Sequence, residues 1–558
     1  MIYFQQFIKQ FSKNPTRAYL LLANVILTIF AIWFFNVGLL PFQSLGDFIF
    51  FAMLALVFSL YRPGWAFVLF IGAIALENIN LAPTSIGFIV RPYQLFGALT
   101  LCSIIVRQLI GRQIVTLPKF KWIDILPILF VFGGFLSVLG SANKGVSFKQ
   151  AIISTSFVAL YFLVRIYIQS LTDLKRVAPF FLGSGLVVSL YAIWQNLHLV
   201  FEVMPGRPNA TFTEPDWLGL YLTFLFALLL VWLFYVSKNY KEKEIHLIFN
   251  SQFSIFNKFF NVQIFKKLGI YIFLLIVAIA LILTVSRSAW LGALVVSFVF
   301  LKLTLIYGSS FENNNKNSFW SNILLAIKKP WHWKKFFGGL ASLALVFILS
   351  LGIVSIFKLT TFQLSSRAQS AGGMQKITIA CQRGLDVAVP EKINSIEELA
   401  NYQCRHIKLE EIEKEKNLGN IVQEVYRPDP NVNIRAKIYA TAFEQIKSHP
   451  IFGIGWSSIG EVLGTDERGT GLNASNILLE VWLGSGLLGF LAFVVLLGYL
   501  LGFSYLKLVK SASNDHASIF VFLGLVAIVI PNLFNSGIFL GFFWVYLAIA
   551  VSLLADAK

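Results

Sequence analysis

LGIYIFLLIVAIALILTVSRSAWLGALVVSFVFLKLTL, residues 268–305, decides the class of this chain. Two apolar runs, Leu268–Leu283 and Leu291–Leu305, flank Thr284-Val285-Ser286-Arg287-Ser288-Ala289-Trp290. The stretch therefore reads as a helical hairpin that crosses a bilayer twice. An arginine among so many apolar residues is costly and needs a partner or a task. The planar guanidinium of Arg287 is well shaped to hold a phosphate.

The rest of the sequence extends this reading. Hydrophobic residues make up 57% of the 558 and charged residues 13%, against about 25% charged in soluble domains. Apolar windows at 18–36, 44–60, 64–80, 91–106, 123–140, 148–168, 178–196, 216–236, 268–286, 288–306, 337–357, 476–506, 516–534 and 537–555 predict an all-α polytopic membrane protein of about 14 transmembrane helices. The first window lacks a small-residue cleavage site and leads into further spans, so it reads as an anchor.

Basic residues set the orientation. Lys9, Lys13 and Arg17, Arg62, Arg107 to Lys121, Arg165 to Arg176, Lys238 to Lys267, Lys302 to Lys335, and Lys507 with Lys510 all fall on one side if the spans alternate. The positive-inside rule makes that side, and both termini, cytoplasmic in a plasma membrane. Residues 1–357 then carry helices one to eleven with short loops. One large, mostly helical extracytoplasmic loop spans 358–475, and 476–558 carries the last three helices. The loop holds 14 basic and 14 acidic residues, so the remaining 31 basic and 13 acidic residues carry the whole net charge of +18. That charge faces the cytoplasmic leaflet and membrane lipids; no nucleic-acid motif accompanies it.

Of three cysteines, Cys102 reads as a buried small residue in the fourth span. Cys381 and Cys404 share the outer loop, where a disulfide is expected. The Glu/Lys-rich run from Glu410 to Lys416 reads as a solvated helix. Farther on, Ile438, Ala442, Phe443 and Ile446 recur at helical spacing after Arg435, and Pro450 ends that helix. No Cys/His cluster in the loop has metal-ligand spacing, and neither a phosphate loop nor a GxSxG elbow occurs. No cofactor is expected.

In this order and sidedness, the pieces resemble the O-antigen ligase / Wzy-type polymerase superfamily. The matching residues are Arg435, His449-Pro450-Ile451-Phe452-Gly453-Ile454-Gly455, Asn476-Ile477-Leu478-Leu479-Glu480 and Gly486-Leu487-Leu488-Gly489. SRSAWLG at 286–292, GRPNATFTEPDWLGLYL at 206–222 and SLYAIWQ at 189–195 belong to the same resemblance. It implies a GT-C-like ligase architecture and glycan transfer from a polyprenyl-pyrophosphate-linked glycan to an acceptor hydroxyl on a glycan, lipid or protein, without metal or ATP. A Wzy-type polymerase is the alternative within the family. A non-catalytic lipid-glycan-binding scaffold, or a transporter, is the alternative outside it, although a transporter would show inverted repeats that are not seen.

The resemblance assigns roles by position. Arg207 and Arg287 would meet the leaving diphosphate, with Arg435 and Arg91 as further cations. The family's histidine before the loop-to-membrane helix is missing, since Asn473 and Ser475 stand there, and neither is a good base. Glu480 and Asp216 are the replacement candidates. Glu214, Asn473, Ser475 and Asn476 would contact substrate. Each assignment has a structural alternative: a snorkelling cation for Arg287, and helix caps for Asp216 and the Asn473–Asn476 group. His449 reads as structural, and Trp217 and Trp456 as sugar-stacking or membrane-belt residues.

Overall fold

The computed structural model describes residues 15–112, 117–198, 207–248, 262–306, 333–360, 374–382, 389–407, 411–428, 430–464, 471–510 and 515–555. Residues 249–261 and 307–332 of the basic loops, and the polar run Asp466-Glu467-Arg468, lie outside the described residues. The helices are α1 Pro15–Asn36, α2 Leu45–Tyr61, α3 Pro63–Ala73, α4 Pro92–Leu109, α5 Ile125–Leu136, α6 Lys144–Tyr167, α7 Leu171–Leu197, α8 Pro215–Ile248, α9 Val262–Leu283, α10 Arg287–Ile306 and α11 Trp333–Ile356. After the long connecting segment come α15 Ile477–Lys510, α16 His516–Asn532 and α17 Gly541–Ala555. Among the described residues, nine helices are long and apolar enough to cross a membrane, and α2, α3, α16 and α17 are shorter apolar helices. The molecule is a polytopic membrane protein.

Two expected spans depart from a straight rod. The window 64–80 is helical only to Ala73. Beyond it the chain must bury the Glu77 carboxylate, which pairs with Arg91 at 3.1 Å and accepts from Tyr93 at 2.9 Å. Leaving the helix puts that acid against its partners, as buried charge requires. The window 476–506 is broken at Gly486, where φ is 64° and ψ is −171°. Cys102, expected to be buried, is exposed. It lies on the α4 stripe that also exposes Ile105 and Leu109, at the i+3 and i+7 spacing of one helical face.

Small residues bring helices close where polar residues must meet. A Cβ on Gly133 of α5 would come within 2.6 Å of the Gly489 backbone nitrogen in α15. At the end of the bundle where α5 and α16 begin, Asp124 and Arg165 are each 2% exposed. Arg165 donates from Nε at 3.0 Å and Nη2 at 3.1 Å to the two carboxylate oxygens, and from Nη1 at 2.9 Å to Ser552. Tyr161 donates to Asp124 at 2.8 Å.

Between α11 and α15 lie β1 Met374–Cys381, β2 Cys404–His406, α12 Ile412–Asn417, β3 Ile421–Pro428, α13 Pro430–Ser448 and α14 Ser458–Leu463. The three strands form an antiparallel sheet in the order β2–β1–β3, a feature beyond the helical loop expected from sequence. Ile377, Ile379, Ile393, Leu399 and Val425 make its small core. Cys381 lies opposite Cys404 across β1 and β2, and the two form a disulfide. The short α12 is not fully solvated: Glu415 is buried, with Arg405 and Asn420 on its carboxylate. The Asn420 hydrogen bond, then the Arg405 pairing, holds that carboxyl below the usual range.

A core this small relies on its staple. Closing a loop over a separation of 23 residues stabilises by roughly 3 kcal/mol in the chain-entropy account. Cys381→Ser with Cys404→Ser is therefore expected to speed amide exchange in β1 and β3 on the order of 100-fold, and to leave α8 and α10 unchanged. Equal protection with and without the disulfide would refute this.

Candidate active site

Five connecting segments meet at the bundle end opposite Asp124 and Arg165. They are residues 74–91, 207–214, 284–286, 471–476 and 533–540. Three of them place a non-glycine residue in the left-handed region: Ala210 at φ 47°, Val285 at 51° and Ser475 at 49°. For β-branched Val285 this is an outlier. Such strain persists where surrounding contacts over-determine the backbone.

Those contacts are visible. Ala210 N donates to Gln195 Oε1 at 2.8 Å, Gln195 Nε2 donates to Asn209 Oδ1 at 2.9 Å, and Asn209 Nδ2 donates to the Phe212 carbonyl at 2.8 Å. Asn78 N donates to the Thr211 carbonyl at 2.7 Å, docking the 207–214 segment on the unwound stretch after α3. Arg207 is thereby set at 8% exposure. Its Nε donates to the Thr284 carbonyl at 2.8 Å and its Nη2 pairs with Asp216 at 3.0 Å.

Asp216 also hydrogen-bonds the Ser286 hydroxyl. The Arg207 element is thus tied to the tip of the hairpin whose next residue, Arg287, begins α10. Beyond Ser286 the polar chain continues. Ser286 and Ser288 lie 3.2 Å apart, and Asn535 Nδ2 donates to Ser288 at 2.7 Å. The turn after α16 then takes Arg435 on the Phe534 carbonyl at 3.3 Å and Asn476 on the Leu533 carbonyl at 3.1 Å. Arg435 contributes to the electrostatic environment of Asp216.

The segment before α15 is shaped from within. Asn473 Oδ1 accepts from Ser475 N at 2.8 Å, Asn476 Oδ1 accepts from Leu478 N at 2.9 Å, and Tyr439 donates to the Ser475 carbonyl at 3.2 Å. Asn476 is therefore a helix cap. Glu480 is buried and accepts the Ala474 amide at 2.6 Å, so it reaches back one turn to hold this loop. Arg91 stands apart from the Arg207–Asp216 pair. It donates to the Glu77 carbonyl at 2.7 Å and pairs with the Glu77 carboxylate, which also accepts the Gly541 amide that starts α17. Glu214 is half-buried directly before α8.

The glycine-punctuated stretch 449–456 has a structural task. The Gly486 break frees backbone groups in mid-helix, and a membrane segment must satisfy them internally. Ile454 N and Gly455 N donate to the Leu483 carbonyl at 2.9 and 3.1 Å, and Leu487 N donates to the Ile451 carbonyl at 2.9 Å. Trp482 Nε1 adds a bond to the Pro450 carbonyl at 3.0 Å. Trp456, 7% exposed, lies on Gly484 and between Phe130 and Phe539. It is a packing residue in this arrangement. His449 contacts its neighbour Ser448 at 2.9 Å on the surface.

A Cβ on Gly486 would sit 2.3 Å from the Ile451 carbonyl oxygen and 2.8 Å from the Phe452 carbonyl carbon, in a conformation that L residues avoid. Gly486→Ala is expected to cost about 3 kcal/mol of stability through strain and contact together. Gly498→Ala in the same helix, where a Cβ meets nothing within 4 Å, should be neutral. Thermal unfolding in detergent compares them, and equal melting temperatures would sink the account of the break.

Residues 272–494 match the family model described as O-antigen ligase. This stretch is similar to the O-antigen ligase family. It brings a glycan-handling role of the ligase or polymerase type, and with it enzyme activity of the glycosyltransferase kind. A comparison with curated proteins finds no match. The matched region covers the Ser286–Arg287 tip, Arg435, the 449–456 splice and the Asn473–Glu480 segment. Arg207, Asp216, Arg91 and the 533–535 turn lie outside 272–494, yet Arg207, Asp216 and the turn join the same polar chain. Two contributors, Glu77 and Asn535, escaped the sequence reading, and two more, Gln195 and Asn209, lie in stretches it quoted without giving them a role. Glu77 had a signal, as an acid in an apolar stretch.

Proposed function

We propose that this protein transfers a glycan from a polyprenyl pyrophosphate to an acceptor hydroxyl at the outer face of the plasma membrane, as an O-antigen ligase does. The observation that carries this is the Arg207–Asp216–Ser286 linkage, which joins one buried guanidinium to the hairpin tip bearing another arginine. Helices α8, α10 and α15 all begin at this junction, and their positive ends add to the field that an anion meets.

The acceptor oxygen attacks the anomeric carbon while the bond from that carbon to the phosphate oxygen breaks. The electron pair leaves with the lipid diphosphate, and the hydroxyl proton passes to a base. Arg207 and Arg287 stabilise charge as it grows on the leaving oxygen. Arg435 and the Asn473–Asn476 loop contact the glycan. Arg91, locked by Glu77, supports the rim. Asp216 orients Arg207, and Glu480 shapes the loop beside it.

Purified protein incubated with polyprenyl-pyrophosphate glycan and acceptor tests the proposal. Product that disappears in Arg287→Ala supports transfer. Donor binding without turnover in the native chain indicates a scaffold, and passage of intact donor across a vesicle indicates a transporter. Glu480→Gln and Asp216→Asn in the same assay locate the base, and full activity in both removes both from that role.

A further inference from the structure

A cavity runs through the bundle from the end that holds Lys175 and His516 as far as Ile71 and Phe542. It has a volume of about 570 Å³ and runs between α1, α7, α8, α16 and α17, lined by aliphatic and aromatic side chains such as Leu21, Val177, Trp232, Phe520 and Ile549. That volume is in the range of small-molecule sites. Among its lining residues are Lys175 and His516. Lys175 Nζ stands 4.2 Å from the centre of the Tyr235 ring. Next to it are two more cations. Arg176 follows in sequence, and Arg17 reaches across from α1 to donate to the Lys175 and Arg176 carbonyls at 3.0 and 2.8 Å. Asp173 is an acid at this corner, 3.8 Å from Arg176, with both side chains substantially solvent-accessible, and Asp515 directly precedes the lining residue His516.

An apolar hollow inside a membrane bundle, with three guanidinium or ammonium groups at one end, is complementary to one kind of ligand. We infer that this cavity holds an acyl chain of an anionic phospholipid, with the phosphate beside Lys175, Arg176 and Arg17. The lipid comes from the leaflet that the basic end faces. A zwitterionic lipid offers the same tail with no net charge to match the cluster, and inorganic phosphate offers the charge with no tail. Basic pockets between transmembrane helices select anionic headgroups on these grounds. The inference uses only the membrane-spanning class of the chain and stands apart from the transfer chemistry.

The test is lipid binding by delipidated full-length protein, measured by native mass spectrometry with phosphatidylglycerol and with phosphatidylcholine. Phosphatidylglycerol is expected to bind at least tenfold more tightly. Lys175→Ala with Arg176→Ala should weaken it on the order of tenfold or more, at about fivefold per cation, while phosphatidylcholine binding stays the same. Ala178→Trp, which fills the cavity from its wall, should weaken phosphatidylglycerol with the charges intact. Millimolar inorganic phosphate should not displace the lipid. Equal affinity for the two lipids, displacement by phosphate, or unchanged phosphatidylglycerol binding in both variants with native melting temperatures would each overturn the assignment.

Discussion

Arg207→Ala is expected to transfer glycan on the order of 10²–10³-fold more slowly than the native chain, the usual loss when one positioned donor to a developing anion is removed. Arg207 is a stringent position because its geometry is fully specified. The Thr284 carbonyl takes Nε and Asp216 takes Nη2, so the guanidinium plane is fixed before any substrate arrives. Arg207→Lys keeps the charge and loses the fork, since an ammonium cannot serve both partners in one plane. It should recover only part of the rate. Removing the cation also strands Asp216, so Asp216→Asn in the Arg207→Ala background separates the two effects. A defect of stability would be relieved by the second change, while a defect of chemistry would persist. Initial rates at saturating donor, with folded fraction matched by thermal unfolding, make the measurement. Native turnover in Arg207→Ala would remove the proposed role.

The largest effect on stability should come from the other end of the molecule. Asp124→Ala leaves Arg165 buried with the neutral Ser552 and Tyr161 hydroxyls beside it and no carboxylate, and an uncompensated buried charge costs about 3–5 kcal/mol. Asp124→Leu together with Arg165→Met removes both charges at similar volume and should restore most of that loss, because desolvation offsets much of the attraction in a buried pair. The single variant should melt well below native in detergent, and the double variant close to it. Their transfer rates per folded molecule should match native, since the pair lies opposite the proposed reacting centre. A single variant as stable as native would show that the pair contributes nothing.

How much of this was legible depended on whether a signal was local. The helices were, because apolar runs long enough to cross a bilayer have few alternatives. Arg207, Arg287 and Asp216 could be named because charges in or beside such runs stand out, and the structure brings Arg207 and Asp216 together at the tip that Arg287 begins. Arg91 could be named for the same reason, yet the acid that holds it could not be paired with it from spacing alone: Glu77 is 14 positions away across an unwound stretch. Asn535 carries no charge and acts on Ser288, 247 positions away, and Gln195, inside the SLYAIWQ stretch, carries no charge that would mark its hold on Asn209 and Ala210. The glycines at 453, 455 and 486 were visible as a pattern, but their complementarity is a matter of two backbones meeting, which no one-dimensional spacing expresses. The sheet escaped because strands of eight, three and eight residues in a polar insert lack the sustained alternation that marks a half-buried face.

The splice at Gly486 means that residues 450–455 and the membrane helix share one run of backbone bonds. A non-helical segment completes the backbone bonding of a long apolar helix. Neither can then shift alone without exposing amides and carbonyls to hydrocarbon, and the loop that carries Asn473 to Asn476 is bounded at both ends by that joint. Residues 450–455 act as a bracket on the bundle, and a movement of either partner has to carry the other with it.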